Sequence, residues 1–143
     1  MKPKPFLLTW LVTSGTLFLL NGVFHGGVAA NFFDTQLSVL GDVVLKMKDF
    51  NPGPIVILEL LIDFCLIMII TGMKNEKVVM KEAVLTGGMF YLSTSATWNL
   101  ANAATFVSWP VILTIVDTSW HFASGLFAGW IICRLFNRQF VAK

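Results

Sequence analysis

The sequence predicts an all-α polytopic membrane protein, built as a four-transmembrane-helix bundle with both termini cytoplasmic. The first observation is composition: 56% of the 143 residues are hydrophobic and 13% are charged, which is too apolar for a soluble domain of this size. The second is that the apolar residues form four long runs separated by short connectors. The third is that the lysines and arginines flank these runs with a consistent bias.

The four runs predict a single membrane domain over residues 1–143, with spans at about 6–30, 55–73, 83–106 and 110–136. The second span follows a cluster of helix breakers, Asn51-Pro52-Gly53-Pro54, and the fourth begins at Pro110, which suits a first helical turn. The first run is longer than the apolar core of a secretory signal, so we interpret it as a span.

The basic residues predict the orientation. If there are four spans, one side receives all of the following: Lys2, Lys4, Lys74, Lys77, Lys81, Arg134, Arg138 and Lys143. The other side receives the loop 31–54, which contains three aspartates and the two lysines Lys46 and Lys48, and a short uncharged turn at Ser108-Trp109. The positive-inside rule then places both termini in the cytoplasm, in a membrane of the bacterial plasma-membrane type.

The loop 31–54 also has a helical pattern. Leu37, Leu40, Val44 and Met47 repeat at helical spacing, and Asp34 is a candidate N-cap. This pattern predicts either a short helix packed within the loop or an amphipathic helix at the membrane interface.

Several functions are not indicated. The net charge of +2 gives no basis for binding nucleic acid. The sequence contains no Gly-rich phosphate loop, nucleophile elbow or HExxH motif, so no catalytic residue is predicted. Cys65 and Cys133 fall at different depths and predict neither a disulfide nor a zinc site. Gly125 and Gly129 form a small-xxx-small pattern, which we interpret as packing within the chain.

Each apolar run carries two polar side chains about one helical turn apart. The pairs are Asn21 with His25, Glu59 with Asp63, Asn99 with Asn102, and Asp117 with His121. An ionisable residue at the centre of a span costs roughly 2.5–3.5 kcal/mol on insertion scales, so these residues need partners or a function. With a rise of ~1.5 Å per residue, the pairs lie in one layer of the membrane, and all eight are candidates for binding a ligand or protons.

The second span is predicted to be marginal as an isolated helix. Its apolar residues contribute about 4–7 kcal/mol, against roughly 5–7 kcal/mol for Glu59 and Asp63 if both were charged. We therefore expect one acid to be neutral, or both to meet donors such as His25, Asn99 or His121.

Three interpretations of this polar layer remain open. It is a hydrogen-bond network that fixes the helices, a ligand or proton pathway, or a site where His25 or His121 is an axial ligand of a metal, haem or chlorin. Two histidines on different helices are a weak metal signature, so no metal site is predicted from the sequence, and the identity of any cofactor stays unknown.

One segment resembles a known family. Tyr91 through Trp120 reads YLSTSATWNLANAATFVSWPVILTIVDTSW and is similar to the hallmark region of the small predicted membrane proteins called domain of unknown function twenty-one seventy-seven. The matching positions are Asn99, Leu100, Asn102, Ala104, Thr105, Trp109, Pro110, Thr114, Val116, Asp117 and Trp120. The resemblance implies a four-helix membrane protein and no established activity. This chain departs from the family pattern at four positions. Asn21 and Asn99 stand where family members tend to have acids, and His25 and His121 stand where small or apolar residues are usual.

These observations predict a non-enzymatic membrane component or accessory subunit that binds an apolar ligand, a pigment or a partner subunit through the polar layer. The alternative is a small transporter or proton-linked carrier that uses Glu59, Asp63 and Asp117. A membrane-embedded enzyme with His121 or His25 as a base is a third interpretation. The expected partners are membrane lipid and a larger membrane complex or a homo-oligomer.

Overall fold

The computed structural model describes residues 3–43, 51–72, 76–138 and 140. These residues form five α-helices and contain no strand: α1 Pro3–Val23, α2 Ala30–Leu37, α3 Gly53–Thr71, α4 Met80–Thr105 and α5 Val111–Arg138. A π-helical turn, Phe24–Val28, joins α1 to α2, and a 3₁₀ segment, Ser38–Val43, follows α2. The predicted all-α class is therefore confirmed.

Three helical segments are long and apolar enough to cross a membrane: Lys4–Val28, Gly53–Thr71 and Val111–Arg138. Helix α4 has 26 residues but is not among them, because serines, threonines and asparagines lower its hydropathy. Large apolar side chains lie exposed on the helix surfaces, including Leu19 at 67% and Ile57 at 61%. Such surfaces suit contact with lipid rather than water.

The first long apolar segment extends from Lys4 through the π-helical turn to Val28. The chain leaves α1 through the π-helical turn, in which the Ala29 amide donates to the Phe24 carbonyl at 2.7 Å. The Phe33 amide then donates to the Ala29 carbonyl at 2.9 Å, so α2 begins one residue later with no side-chain cap. Asp34 lies inside α2, and its prediction as an N-cap is wrong. Because helical bonding is almost continuous here, few free amides remain for a cap to satisfy.

Helix α2 lies in the loop for which a helix was predicted, but the pattern that predicted it is only partly followed. The α-helix ends at Leu37, and Gly41, with φ of 63°, interrupts the 3₁₀ segment that follows. Val44 and Met47 lie outside the described residues. A residue with a Cβ would be strained at the Gly41 φ angle, so the chain changes direction here.

Helices α3 and α5 begin at the predicted prolines, Pro54 and Pro110. Pro54 lies in the first turn of α3, and Gly72, with φ of 54°, ends it. The Pro110 carbonyl accepts from the amides of Leu113 and Thr114 at the start of α5. At the other end of α5, Asn137 forms two hydrogen bonds with the backbone of Val78, at 2.9 and 2.8 Å.

The closest helix packing joins α4 to α5. A Cβ placed on Gly125 would meet the Gly87 carbonyl and the Tyr91 side chain, and one on Gly129 would meet the backbone of Ala83. The two helices therefore approach to backbone contact, and this close approach within the chain agrees with the small-xxx-small interpretation. Residues from α1, α3, α4 and α5 share one apolar core: Leu17, Leu66, Ile67, Tyr91, Ala128 and Ile132.

Candidate functional site

Two groups of polar side chains lie between the helices. We call the first the histidine cluster; it consists of His25, Ser95, Asn99, Asp117 and His121. We call the second the carboxyl cluster; it consists of Glu59, Asp63 and Tyr91. Asn21 connects the two clusters.

Asp117 is the centre of the histidine cluster. Its Oδ2 accepts from the Ser95 hydroxyl at 2.8 Å and from the Asn99 amide at 2.6 Å. Its Oδ1 lies 2.9 Å from Nε2 of His25 and 3.5 Å from Nε2 of His121. Three helical regions thus meet at one carboxylate: the turn after α1, the middle of α4 and the second turn of α5.

The π-helical turn positions His25. A π-helical turn has a wider hydrogen-bond ring than an α-helix and is frequently found at functional sites. The ring Nδ1 of His25 lies 3.0 Å from the Asn21 carbonyl oxygen, and Nε2 faces Asp117. Both ring nitrogens therefore face a hydrogen-bond acceptor. A neutral imidazole has one N–H, so it can donate to only one of these two acceptors.

The carboxyl cluster joins α3 to α4. The Tyr91 hydroxyl lies 3.0 Å from Oε1 of Glu59 and 2.9 Å from Oδ1 of Asp63. The Tyr91 hydroxyl has one proton and can donate it fully to only one carboxylate. Both contacts are hydrogen bonds when the other acid is protonated and donates to the Tyr91 oxygen. Asp63 is fully buried. It also lies beside Ser14 of α1, which brings a third helix to the cluster.

Asn21 links the clusters through its side chain and its backbone carbonyl, and both polar ends of its side chain are hydrogen-bonded. Its amide nitrogen donates to Oε1 of Glu59 at 3.3 Å, and its side-chain oxygen accepts from the Trp120 indole at 2.9 Å. Its backbone carbonyl faces His25. A chain of close polar contacts consequently runs from Asp63 to Asp117.

The two clusters differ in exposure. Asp63 has no exposed surface and Glu59 is 7% exposed. In the histidine cluster the side chains of His25, His121 and Asp117 are 29%, 22% and 13% exposed. One edge of the histidine cluster is thus accessible from outside the protein, whereas the carboxyl cluster is closed.

Aromatic rings border the accessible edge. The Phe24 ring stacks on Trp120 with a centroid separation of 3.9 Å and an interplanar angle of 5°. The Phe33 ring of α2 lies 4.8 Å from the His25 ring. Because these rings surround a polar centre, the edge offers both apolar contact and hydrogen-bonding groups.

Seven of the eight residues predicted from the sequence lie in these clusters or connect them: Asn21, His25, Glu59, Asp63, Asn99, Asp117 and His121. Asn102 is half-exposed, and the structure records for it only a backbone contact, in which its carbonyl accepts from the Phe106 amide at 2.8 Å. It therefore does not join either cluster through the described hydrogen bonds.

The donors expected for the carboxylates of α3 are different in the structure. His25, Asn99 and His121 contact Asp117, whereas Tyr91 and Asn21 contact the two acids. The expected donors were wrong because depth in the membrane does not determine which way a helix face points. The other alternative, that one acid is neutral, stays a prediction.

The sequence prediction also missed three members of the network: Tyr91, Ser95 and Trp120. A signal for two of them was present. Tyr91 is the only tyrosine of the chain, and it precedes Ser95 and Asn99 at intervals of four residues. This spacing places all three on one face of α4.

The long apolar helices and the polar network enclosed between them define an integral membrane protein of the all-helical class. The chain belongs to the DUF2177 family, which is described as a predicted membrane protein family and whose model matches residues 6–133. The resemblance found from the sequence is therefore confirmed. No curated protein and no solved structure matches the chain.

Proposed function

We propose that α1, α3, α4 and α5 all cross the membrane and that both termini are cytoplasmic. The shared apolar core and the close packing of α4 on α5 support a span at α4 in spite of its polar residues. Those of its polar side chains that face the clusters are hydrogen-bonded within the protein, which lowers their cost in lipid. The basic residues that flank the helices support the orientation.

Cysteine labelling tests this topology. In a background with Cys65 and Cys133 replaced by serine, Ser38→Cys should react with a membrane-impermeant maleimide from outside intact cells. Glu76→Cys should react only after the membrane is opened, since it lies in the connection between α3 and α4. Labelling of both positions from the same side contradicts the four-span topology.

We propose that the protein is a non-enzymatic membrane component that binds an apolar ligand or pigment with a polar head group at the histidine cluster. The accessible edge of this cluster carries the proposal. Two imidazoles and a carboxylate reach the surface there, beside the rings of Phe24, Phe33 and Trp120. A ligand arriving from the lipid could place its body on the rings and its head group on the polar atoms.

The carboxyl cluster has a different part in this proposal. It is closed, and its acids and hydroxyl are used in contacts between α3 and α4. Buried polar contacts of this kind commonly hold membrane helices together. The carboxyl cluster is therefore assigned to the scaffold, and the histidine cluster to binding.

Retention of a co-purifying molecule tests the function. The protein is extracted in a mild detergent, and bound small molecules are identified and counted per folded chain by mass spectrometry. We expect His121→Gln to fold and to lose most of the bound molecule, while Asn102→Ala, which changes a residue outside both clusters, retains it. Full retention by His121→Gln with only an earlier melting transition would assign this residue to the scaffold. A co-purifying polypeptide in place of a small molecule would favour a partner subunit.

A small proton-linked carrier is the second candidate. The chain of close polar contacts that joins Asp63, Glu59 and Asp117 favours a carrier, because transporters commonly use intramembrane carboxylates. Two surface depressions, with volumes of about 430 and 380 Å³, are lined by α4 residues and by the α3–α4 connection, and neither contains a residue of either cluster. Proton flux into liposomes that is lost in both Glu59→Gln and Asp63→Asn would favour the carrier over ligand binding.

A further inference from the structure

Both histidines of the chain lie at the same carboxylate. Nε2 of His25, Nε2 of His121 and Oδ1 of Asp117 offer three ligand atoms, all within 4.8 Å of one another. An ion such as Zn²⁺ binds imidazole nitrogen and carboxylate oxygen at about 2.0–2.2 Å, so two ligands of one tetrahedral ion are about 3.4 Å apart. Changes in side-chain rotamer that bring the ligand atoms closer by roughly 1–1.5 Å would therefore place all three on one ion.

In one of its two neutral tautomers, His25 is oriented to bind a metal ion. If Nδ1–H donates to the Asn21 carbonyl, the lone pair of Nε2 points at the Asp117 carboxylate only 2.9 Å away, which is repulsive. A positive ion between the two atoms, either a proton or a metal ion, removes this repulsion. In metal sites the second ring nitrogen of a ligating histidine commonly donates to a backbone carbonyl, as Nδ1 is placed to do here.

The surroundings of Asp117 agree with the same interpretation. Ser95 and Asn99 both donate to Oδ2, and this leaves Oδ1 directed at the two imidazoles. Hydrogen bonds to the outer oxygen orient a ligating carboxylate and hold it in place before an ion arrives. The hydrogen bond to Oδ2 also fixes the orientation of the Asn99 side-chain amide, because only its nitrogen can donate to Asp117.

We infer that His25, Asp117 and His121 bind one divalent transition-metal ion. Two imidazoles and one carboxylate suit Zn²⁺, Fe²⁺ or Co²⁺, whereas Mg²⁺ and Ca²⁺ prefer sets of oxygen ligands. Three protein ligands leave coordination positions open, and the partial exposure of the three side chains makes the cluster accessible to a further ligand. The inference builds on the proposed function in one respect: the open positions are where the polar head group of the ligand would bind.

The first test uses the unaltered protein, so that it does not depend on whether a variant folds. The chain is labelled with ¹⁵N-histidine, purified in detergent and stripped with a chelator. Since there are only two histidines, each imidazole gives its own pair of nitrogen signals. Zinc chloride should shift the Nε2 signals of both histidines and saturate at one ion per chain. A shift of one histidine only, or of neither, overturns the inference.

The second test uses variants. Cobalt chloride titrated into the stripped protein should give a ligand-field absorption band. We expect His121→Gln and Asp117→Asn to weaken Co²⁺ binding by at least about 10-fold, in line with the effect of losing metal-site residues. Asp63→Asn is the matched control, because it removes a buried acid of the closed cluster and should leave the affinity unchanged. Magnesium chloride should not compete.

The outcomes separate this inference from the proposed function. Co²⁺ binding that is equal in the parent protein and in His121→Gln overturns the metal site. Retention of a small molecule by a protein that binds no Co²⁺ overturns the metal site and leaves ligand binding in place. Co²⁺ binding that depends on His121, in a protein that retains no small molecule, supports the metal site and counts against the proposed function.

Discussion

The histidine cluster and the carboxyl cluster contain similar chemical groups in opposite settings. In the carboxyl cluster, two acids share one hydroxyl and Asp63 is fully buried. In the histidine cluster, one acid meets two imidazoles, an amide and a hydroxyl, and the imidazoles reach the surface. The first arrangement has few donors for its two acids, whereas the second surrounds one acid with several polar groups. The difference indicates that polar residues in a membrane span need not share one role, even when they are connected.

The difference in setting follows from the helices that hold each cluster. The carboxyl cluster lies where α3, α4 and α1 meet near their middles. The histidine cluster lies nearer the helix ends, where the π-helical turn after α1 brings His25 to Asp117 in the second turn of α5. A site near the helix ends can remain accessible, whereas one at mid-helix is covered on all sides.

The largest effect is expected from a change that disturbs both clusters. Gly125→Leu places a side chain against the Gly87 carbonyl and the Tyr91 side chain, so α4 and α5 must separate. We expect destabilisation beyond the ~1–3 kcal/mol typical of overpacking, and larger than that of any change below, because backbone cannot move aside as a side chain can. Unfolding by dodecyl sulfate in mixed micelles, followed by circular dichroism, measures it.

Gly15→Leu is the control for this change. Nothing lies within 4 Å of a Cβ at Gly15, and the residue is exposed. The added side chain should therefore meet lipid or detergent and leave stability nearly unchanged. If the two leucine variants were equally stable, the contact of α4 with α5 would not be what positions the clusters.

Lysine substitutions, one in each cluster, test whether the closed carboxyl cluster and the accessible histidine cluster differ in exposure. Asp63→Lys puts a longer, charged side chain at a position with no exposed surface, and we expect a loss of about 3–5 kcal/mol. His121→Lys should cost less, because the side chain can pair with Asp117 and extend to the surface. Asp63→Asn keeps the size of the acid and should cost about 1 kcal/mol. The same unfolding series measures all three, and equal losses for the two lysine variants would mean that the clusters do not differ in exposure.

The sequence predicted the layer but not the pairing within it. Spacing of three or four residues and depth along each helix identified His25, Glu59, Asp63 and Asp117. The pairing depends on how each helix is rotated about its axis, and hydrophobic periodicity gives little information about rotation in helices that are apolar on nearly all sides. The acids of α3 were therefore matched with the wrong donors.

Two local features account for most of the remaining difference. The π-helical turn at Phe24–Val28 places His25 next to the Asn21 carbonyl and Asp117, and the sequence carries no clear signal for it apart from the pair Gly26-Gly27. Close packing was predicted from Gly125 and Gly129, but their contact with Gly87 and Ala83 is a tertiary feature. Helix class and approximate position were thus predictable, whereas the contacts between helices required the structure.

Removal of a single hydroxyl group from each cluster should cost less than the leucine at Gly125 or the lysine at Asp63. Tyr91→Phe removes the group that both acids contact, and it leaves Asp63 without the hydroxyl donor it has in the folded protein. We expect a loss of about 1–3 kcal/mol, since buried polar atoms without partners are costly. Ser95→Ala removes one donor from Asp117, but the Asn99 amide still donates to the same oxygen, so the loss should be only about 0.5–1.5 kcal/mol.

The double variant Tyr91→Phe/Asp63→Asn should lose less than the sum of the two single changes, because the new amide can donate to Glu59 one turn away. Equal losses for Tyr91→Phe and Ser95→Ala, or additive losses in the double variant, would show that the tyrosine hydroxyl does not hold the carboxyl cluster together.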